Sequence, residues 1–385
     1  MSPDNDIHSL KKLAAQYAQQ LDLTHLSLPN ASTIVHPDIQ CAIYEHMFNE
    51  AAVWPLPPVG YRTRILKTII ARIEDGITDP EEDELNADLI ETWTNLISLP
   101  KPSQIQQAQQ LTYIKYTAPT TTISQDPQTV ITSESRGLIY SSGTTGFRTW
   151  EASLHLGTYL STPTGAAHVT GKRVIELGAG TGFVSMYAAK YLQPQFVLAT
   201  DREGTLIENM KDSKARNGLG GQFGVGAWEW GTPLGYPTED DTEGIAREDL
   251  CFDVVLGADL VRYVLLFKLF GVLRSTRLME SRPMTQTYFL CCSLPFMTFL
   301  ITTGSKSLFS RLHYGTRRPS RRFWTLVVCA PFNSPALVPG YGIDCLADNH
   351  RFKAVCLSFE SPVTENQTGF FHETGIPIRT YRVTR

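Results

Sequence analysis

The chain has 385 residues, a length typical of two to three domains. Apolar residues make up 42% of it and charged residues 19%, a globular balance with enough material for at least one large core. With a net charge of −4, the molecule as a whole is not a polycation that binds nucleic acid. Seven cysteines without a C-x-x-C pair exclude a disulfide scaffold and a zinc ribbon and favour a reducing compartment.

No targeting or membrane segment is expected. The N-terminal residues carry acids first and lack the apolar core of a signal peptide, so we expect a cytoplasmic protein. The segment from Pro283 to Ser305 is uncharged, but its apolar centre, Tyr288 to Ile301, is interrupted by Pro295. That centre is shorter than the roughly 20 apolar residues of a membrane span, which predicts a core element instead.

Residues 1–125 are predicted to form a helical region. Apolar residues from Ile7 to Leu21 recur at three- and four-residue spacing, which lines up one buried face of a first helix. A second helix is expected from Pro37 to Trp54, where prolines follow, and a third ends before Gly76.

The fourth helix of this region has a predicted start. Asp79 is placed as its N-cap, Pro80 at its first position and Glu82 as the partner in a capping box. The helical region shows no catalytic constellation, so we interpret it as a docking or packing module. Residues 103–130, rich in Gln, Thr, Ser and Pro, are predicted to be a linker or an extended excursion.

Residues 126–385 are predicted to form the second domain. Short strands are expected at Thr129–Thr132 and Leu138–Tyr140, and alternating strands and helices follow, the pattern of a parallel α/β sheet. Arg173–Leu177 is an apolar strand that leads into Gly178–Gly182 and then into an apolar helix. Such glycines let the backbone approach a ligand closely.

The spacing of these glycines selects the ligand. A dinucleotide fold needs Gly or Ala at position 183, where this chain has Phe183. The observed spacing E-x-G-x-G-x-G instead favours S-adenosylmethionine. Asp201 ends the next strand and is expected to accept hydrogen bonds from the two ribose hydroxyls, or to cap the helix at 204–216, or both. Asp259 ends a later strand, begun at Phe252, and should face the same crevice.

Four segments together resemble the seven-β-strand protein-lysine methyltransferases, in particular their elongation factor 2 branch. They are S-G-T-T-G-F-R-T-W-E-A at 142–152, V-I-E-L-G-A-G-T-G at 174–182, D-V-V-L-G-A-D at 253–259, and Q-T-G-F-F-H at 367–372 followed by P-I-R at 377–379. The last of these resembles the closing strands of the family. The resemblance covers roughly 1–260 and 350–385.

The resemblance implies an α/β fold: a Rossmann-like, seven-stranded methyltransferase core with an antiparallel last strand and an N-terminal α-helical region. It also implies S-adenosylmethionine as methyl donor and a lysine of translation elongation factor 2 as acceptor, with no membrane partner and no nucleic acid. The residues implied to bind the cofactor are Trp150, Glu176, Gly178, Ala179, Gly180, Asp201, Trp230 and Ala258. Trp228 is the alternative to Trp230. Asp259 and Tyr263 are the implied catalytic residues, and no metal is expected.

One part of the chain departs from the family. Relatives carry Tyr three residues after this Asp, where Arg262 stands here, with Tyr263 next. From Ser281 to Ile343 there are seven basic residues and no acidic one, and the stretch 261–350 is atypical. Its basic cluster at 317–322 could bind RNA or an acidic partner, or be a solvated loop. The alternatives to the main hypothesis are therefore a methyltransferase for a small molecule or RNA, and a non-catalytic scaffold.

Overall fold

The computed structural model describes residues 3–79, 83–100, 102, 103, 106, 110–119, 126–136, 144–229, 234, 252–258, 286–291, 324–325, 342–347, 350–375, 378 and 380–384. Within them, no helix combines the length and the apolar character needed to cross a membrane. The predicted strand at Leu138–Tyr140 and the basic cluster at 317–322 lie outside this set.

Among the described residues, helices are concentrated in the first hundred residues and around the glycine-rich segment. The α-helices are α1 (Pro3–Ala18), α2 (Ala31–Ile34), α3 (Pro37–Ile43), α4 (Val59–Glu74), α5 (Ala87–Ser98), α6 (Glu151–Leu160), α7 (Pro163–Ala166), α8 (Phe183–Tyr191) and α9 (Gly204–Arg216). A π-helical turn, Tyr44–Phe48, continues α3, and 3-10 turns lie at Leu23–His25 and Thr364–Asn366.

Two predicted helix boundaries in the helical region are wrong. The second helix was expected to reach Trp54, but it ends at Phe48, well before the prolines that follow Trp54. The fourth helix begins at Ala87, and its N-cap is Asn86, whose side chain accepts a hydrogen bond from the amide of Leu89. Asp79 is not its cap, and Pro80 and Glu82, the other residues of the predicted start, lie outside the described residues.

The predicted linker contains a strand. Strand β1 (Thr112–Thr117) pairs antiparallel with β2 (Thr129–Glu134) in a separate two-stranded sheet. The sequence prediction found the start of β2 but missed β1, because polar composition does not exclude a strand when one face is buried. Ile114 and Tyr116 are fully buried in the same hydrophobic cluster as the methyltransferase-like core. The predicted domain boundary at residue 125 falls inside this hairpin.

Nine strands of the described part of the chain form the main sheet. They are β3 (Arg173–Leu177), β4 (Phe196–Asp201), β5 (Phe223–Ala227), β6 (Val254–Ala258), β7 (Gln286–Cys291), β8 (Trp324–Thr325), β9 (Gly342–Ala347), β10 (His350–Cys356) and β11 (Thr380–Thr384). Their order is β5-β4-β3-β6-β7-β11-β10-β9, with β8 paired to β7.

The first five strands of that order are parallel and the last strand of the chain is antiparallel to both of its neighbours. The α/β class and the antiparallel last strand agree with the sequence prediction, whereas the count of seven strands is not confirmed. Residues 367–372 form no strand, contrary to the expectation for that motif. They pack instead against the end of α1, where the side-chain amide of Gln19 exchanges hydrogen bonds with the backbone of Phe371.

Buried side chains form two clusters. One is built from residues between Leu10 and Leu96 and the other from residues between Ile114 and Phe370. The glycine-rich segment and then α8 follow β3, and α9 follows β4. Because β3, β4 and β6 are parallel, their carboxyl ends lie at one edge of the sheet. In parallel sheets that edge binds the ligand.

Candidate cofactor site

The glycine turn follows β3 at this edge. Gly178, Gly180 and Gly182 have φ of +60°, +56° and +76°, a region that side chains with a Cβ rarely adopt. The amide of Ala179 donates to the carbonyl of Thr200 at 2.9 Å, which holds the turn against the end of β4. The turn is therefore a partly buried loop that is hydrogen-bonded to β4 at the ligand-binding edge.

A second segment, residues 144–151, packs directly on this turn. A Cβ built on Gly180 would lie 3.0 Å from the carbonyl oxygen of Gly146, so the two backbones approach as closely as glycine allows. The hydroxyls of Thr149 and Thr181 are 2.7 Å apart and both side chains are buried. The motif at 142–152 and the glycine motif thus form one structural unit.

Asp201 anchors the turn from the end of β4. Its Oδ2 accepts a hydrogen bond from the amide of Gly180 at 3.0 Å, and its Oδ1 accepts from the amides of Arg202 and Glu203 at 2.7 and 3.3 Å. The N-cap residue of α9 is Glu203, so Asp201 is not the cap of that helix. The carboxylate is half-buried, and its two oxygens have lone pairs beyond these three bonds for a further donor.

Glu176 lies beneath the turn. Its side chain is buried and Oε2 accepts from the amide of Ser185 in the first turn of α8 at 2.9 Å. Burial is the main cause that raises the pKa of the Glu176 carboxyl to about 7; hydrogen bonds from Ser185 oppose this shift and the charge of nearby Asp201 adds to it. This carboxylate is committed to the start of α8, where it supports the turn from below.

Trp150 is the residue before α6. Its indole Nε1 donates to the carbonyl of Thr145 at 3.1 Å, and the Arg148 guanidinium lies 4.9 Å from its ring centroid. Arg148 also contacts Glu151 at 3.2 Å. These contacts fix the indole beside the 144–146 segment, which itself covers the glycine turn.

Of the remaining predicted site residues, some lie within the described part of the chain and others do not. Ala258 ends β6 and is buried. Trp228 is buried in the core, and its amide donates to the carbonyl of Asp201 at 2.8 Å. Trp230, Asp259 and Tyr263 lie outside the described residues, so their roles stay predictions.

The residues present fit a nucleoside cofactor. The left-handed glycines form a turn packed closely against the backbone of Gly146, and a half-buried carboxylate stands at the end of the adjacent strand. Carboxylates at that position suit ribose hydroxyls, and a backbone turn suits the polar chain of an amino acid. Among the described residues, no group of three or more His, Cys, Asp or Glu side chains could hold a metal ion.

Sequence reasoning missed the support of this site. Glu134 is buried behind Thr149, and the partly exposed Arg136 pairs with it. Both residues lie beyond Thr132, where the predicted strand ended. The alternating polar residues of β2 gave no signal, since Thr132 and Glu134 are residue types that usually face solvent. A cleft of about 760 Å³ also lies between the helical region and the core, lined by Arg64, Arg136 and Arg148 among other residues.

Comparison with known proteins gives consistent matches. The family model described as Lysine methyltransferase matches residues 139–292. Protein-lysine N-methyltransferase EFM3 of Chaetomium thermophilum is 38% identical over 237 residues, which cover 61% of this chain and 69% of that relative. Protein-lysine N-methyltransferase EEF2KMT of Homo sapiens is 34% identical over 91 residues, covering 23% of this chain and 26% of the relative. EEF1A lysine methyltransferase 3 of Mus musculus is 36% identical over 115 residues, covering 30% and 43%.

Proposed function

The chain belongs to the lysine methyltransferase family, and we propose that it methylates a lysine of translation elongation factor 2. It is an S-adenosylmethionine-dependent protein-lysine methyltransferase. The single observation that supports the donor site best is the E-x-G-x-G-x-G turn, held in left-handed backbone by Asp201 and covered by residues 144–151.

The choice of acceptor rests on two observations. The motif at 142–152 resembles the elongation factor 2 branch, and one matching relative carries the name EEF2KMT. Another match carries the name EEF1A lysine methyltransferase 3, which makes elongation factor 1A the second candidate acceptor. Both candidates are proteins, and both predict the same chemistry at the donor site.

The donor side of the reaction is assigned to residues around the glycine turn. When bound, S-adenosylmethionine supplies an electrophilic methyl group. We assign the ribose to Asp201, the backbone cradle to Gly178–Gly180 and the adjoining wall to Trp150 and Ala258. Their task is to bind and orient, because transfer of an already activated methyl needs mainly in-line positioning of the acceptor.

The acceptor side must deliver a neutral amine. A free lysine has a pKa of about 10.4, so it is charged at neutral pH and its lone pair is blocked. An apolar, aromatic channel lowers that pKa by desolvation. We assign to Asp259 the orientation of the ammonium before it loses its proton, and to Tyr263 an aromatic face that attracts methylated ammonium groups.

The helical region, residues 1–125, is assigned to docking. A donor crevice is too small to select one lysine on a large partner, so further contact area is needed. The cleft of about 760 Å³ is lined by Arg64 from α4 and by Arg148 and Glu151 beside the donor site. Because residues of both regions line one cleft, the cleft supports a path by which a partner bound at the helical region reaches the reaction centre.

The test uses labelled cofactor. Extract from cells that lack this gene is incubated with the protein and tritiated S-adenosylmethionine, and labelled bands are identified by mass spectrometry. Label on a lysine of elongation factor 2 supports the proposal, and a Gly180→Arg variant should give none. Label only on RNA or on a small molecule would refute a protein acceptor, and cofactor binding without any label would favour a non-catalytic scaffold.

A further inference from the structure

A buried polar network lies behind the cofactor turn. Its centre is the carboxylate of Glu134, which has no solvent exposure. Oε1 accepts from the hydroxyls of Tyr116, Thr132 and Thr149, each at 2.7 Å. Oε2 accepts from Nε of Arg136 at 3.2 Å and from the amide of Thr149 at 3.3 Å. Four residues thus supply five donor groups, and both carboxylate oxygens act as acceptors.

The single proton on each threonine hydroxyl determines the direction of the hydrogen bond between Thr149 and the glycine turn. The hydroxyl of Thr149 has one proton, and that proton is donated to Glu134. In the 2.7 Å contact between Thr149 and Thr181, the donor is therefore Thr181. Thr181 therefore donates to Thr149, and Thr149 donates to Glu134.

The same network reaches the helical region. Nη1 of Arg136 donates to the carbonyls of Gln19 and Gln20 at 2.8 and 3.3 Å, just past the end of α1. Its Nη2 donates to the hydroxyl of Tyr116 at 2.7 Å, which in turn donates to Glu134. A cation at this place also suits the negative end of the helix dipole. One ion pair therefore joins α1, the β1–β2 hairpin and the cofactor turn.

We propose that Glu134 is a positioning residue for cofactor binding, acting through the hydroxyls of Thr149 and Thr181 on the glycine turn and tied by Arg136 to the end of α1. This inference rests on the methyl donor of the proposed function and not on the acceptor. Contacts from outside the turn matter because its three left-handed glycines have more accessible backbone conformations than other residues would have. The network selects the binding conformation before the cofactor arrives.

The principal variant is Thr149→Val, which removes the bridging hydroxyl at nearly constant volume. We expect the dissociation constant for S-adenosylmethionine, measured by calorimetry, to rise about tenfold, and the KM for cofactor to rise more than kcat falls. Hydrogen exchange at the amides of residues 180–183 should quicken in the cofactor-free protein. Thr149→Ser keeps the hydroxyl and should stay within about twofold of wild type.

The matched control is Thr158→Val. Thr158 is also buried, and its hydroxyl donates within α6 to the carbonyl of Leu154 at 2.8 Å, without contact to the turn. It should lower the melting temperature by a similar amount and leave cofactor affinity unchanged. If Thr149→Val does not fold, Thr181→Val breaks the same contact from the other side and is judged by the same affinity criterion.

Two results would overturn the inference. One is a Thr149→Val protein with wild-type cofactor affinity and wild-type exchange at 180–183. The other is a Thr149→Ser protein as impaired as Thr149→Val, which would assign the effect to packing. Because the measurement is cofactor affinity, failure to methylate elongation factor 2 would leave this test intact.

Discussion

At the scale of single residues, Asp201 connects the end of β4 to the cofactor turn. Its Oδ2 holds the amide of Gly180 in place, while its Oδ1 accepts from the amides of Arg202 and Glu203. We expect Asp201→Ala to weaken S-adenosylmethionine binding by about 2–4 kcal/mol, since the charge-assisted hydrogen bonds that we propose to the ribose would be lost as well. Calorimetry on wild type and variant measures this. Asp212→Ala is the control, because Asp212 pairs with Arg216 on the exposed side of α9. Unchanged affinity with a large loss of thermal stability would make Asp201 a purely structural residue.

Glu176 makes folding depend on pH. Its pKa rises from 4.5 to about 7 on folding, so the folded protein holds the proton more tightly than the unfolded chain. The free energy of unfolding therefore falls as pH rises from about 4.5 to 7, by up to about 3 kcal/mol, and the loss is complete above that window.

The measurement compares wild type with Glu176→Gln, which cannot ionise. Denaturant unfolding at pH 5 and pH 7.5 should show a smaller loss of stability over this range in the variant. The difference between the two proteins is needed because burial also lowers the pKa of His155 to about 3, which acts in the opposite sense below pH 6.5. The same pH dependence in both proteins would contradict the assignment.

At the scale of elements, the glycine turn is the critical one. Gly180→Ala puts a Cβ at φ +56° and 3.0 Å from the carbonyl oxygen of Gly146. We expect a loss of stability of about 1–2 kcal/mol and a further loss of cofactor affinity, measured by thermal unfolding and calorimetry. Gly204→Ala is the matched control, since a Cβ at the start of α9 meets nothing within 4 Å and should be neutral or slightly stabilising. Equal effects of the two changes would contradict this account.

Elements that local sequence signals determine were predicted, whereas those that tertiary contacts determine were missed or misplaced. Strand β3 and helix α9 were predicted with their observed bounds, because apolar runs punctuated by Gly and Asn are local signals. Strand β1 was missed because its burial comes from contacts with distant helices. The start of α5 was misplaced because Asp79 and Asn86 are equally good caps, and tertiary packing selects Asn86.

For the candidate site, the structure places Gly180 and Asp201 in hydrogen-bond contact, and motif spacing indicated both because it encodes backbone geometry directly. Their role in cofactor binding stays a prediction. Glu134 was not found, since a buried carboxylate depends on donors from β1, β2 and the segment before α6, which no local pattern reveals.

At the scale of the whole molecule, the helical region and the core share the cleft that we assign to docking. Arg64 on α4 is exposed and lines it, whereas Lys67, one turn further on and also exposed, does not. We expect Arg64→Glu to raise the KM for the protein acceptor several-fold while leaving cofactor affinity unchanged, because charge reversal alters only the partner's approach. Lys67→Glu should behave as wild type. Steady-state methylation assays measure both, and equal KM values for the two variants would refute docking at this cleft.

The most direct test of the central claim uses purified acceptors. Elongation factor 2 and elongation factor 1A from cells lacking this gene are incubated separately with the protein and S-adenosylmethionine, and peptides are mapped by mass spectrometry. The account predicts a methyl group on a lysine of elongation factor 2, absent with Gly180→Arg. Methylation of elongation factor 1A alone would contradict the proposed acceptor, and no lysine methylation on either, from protein that binds the cofactor, would contradict the proposed reaction on these two factors.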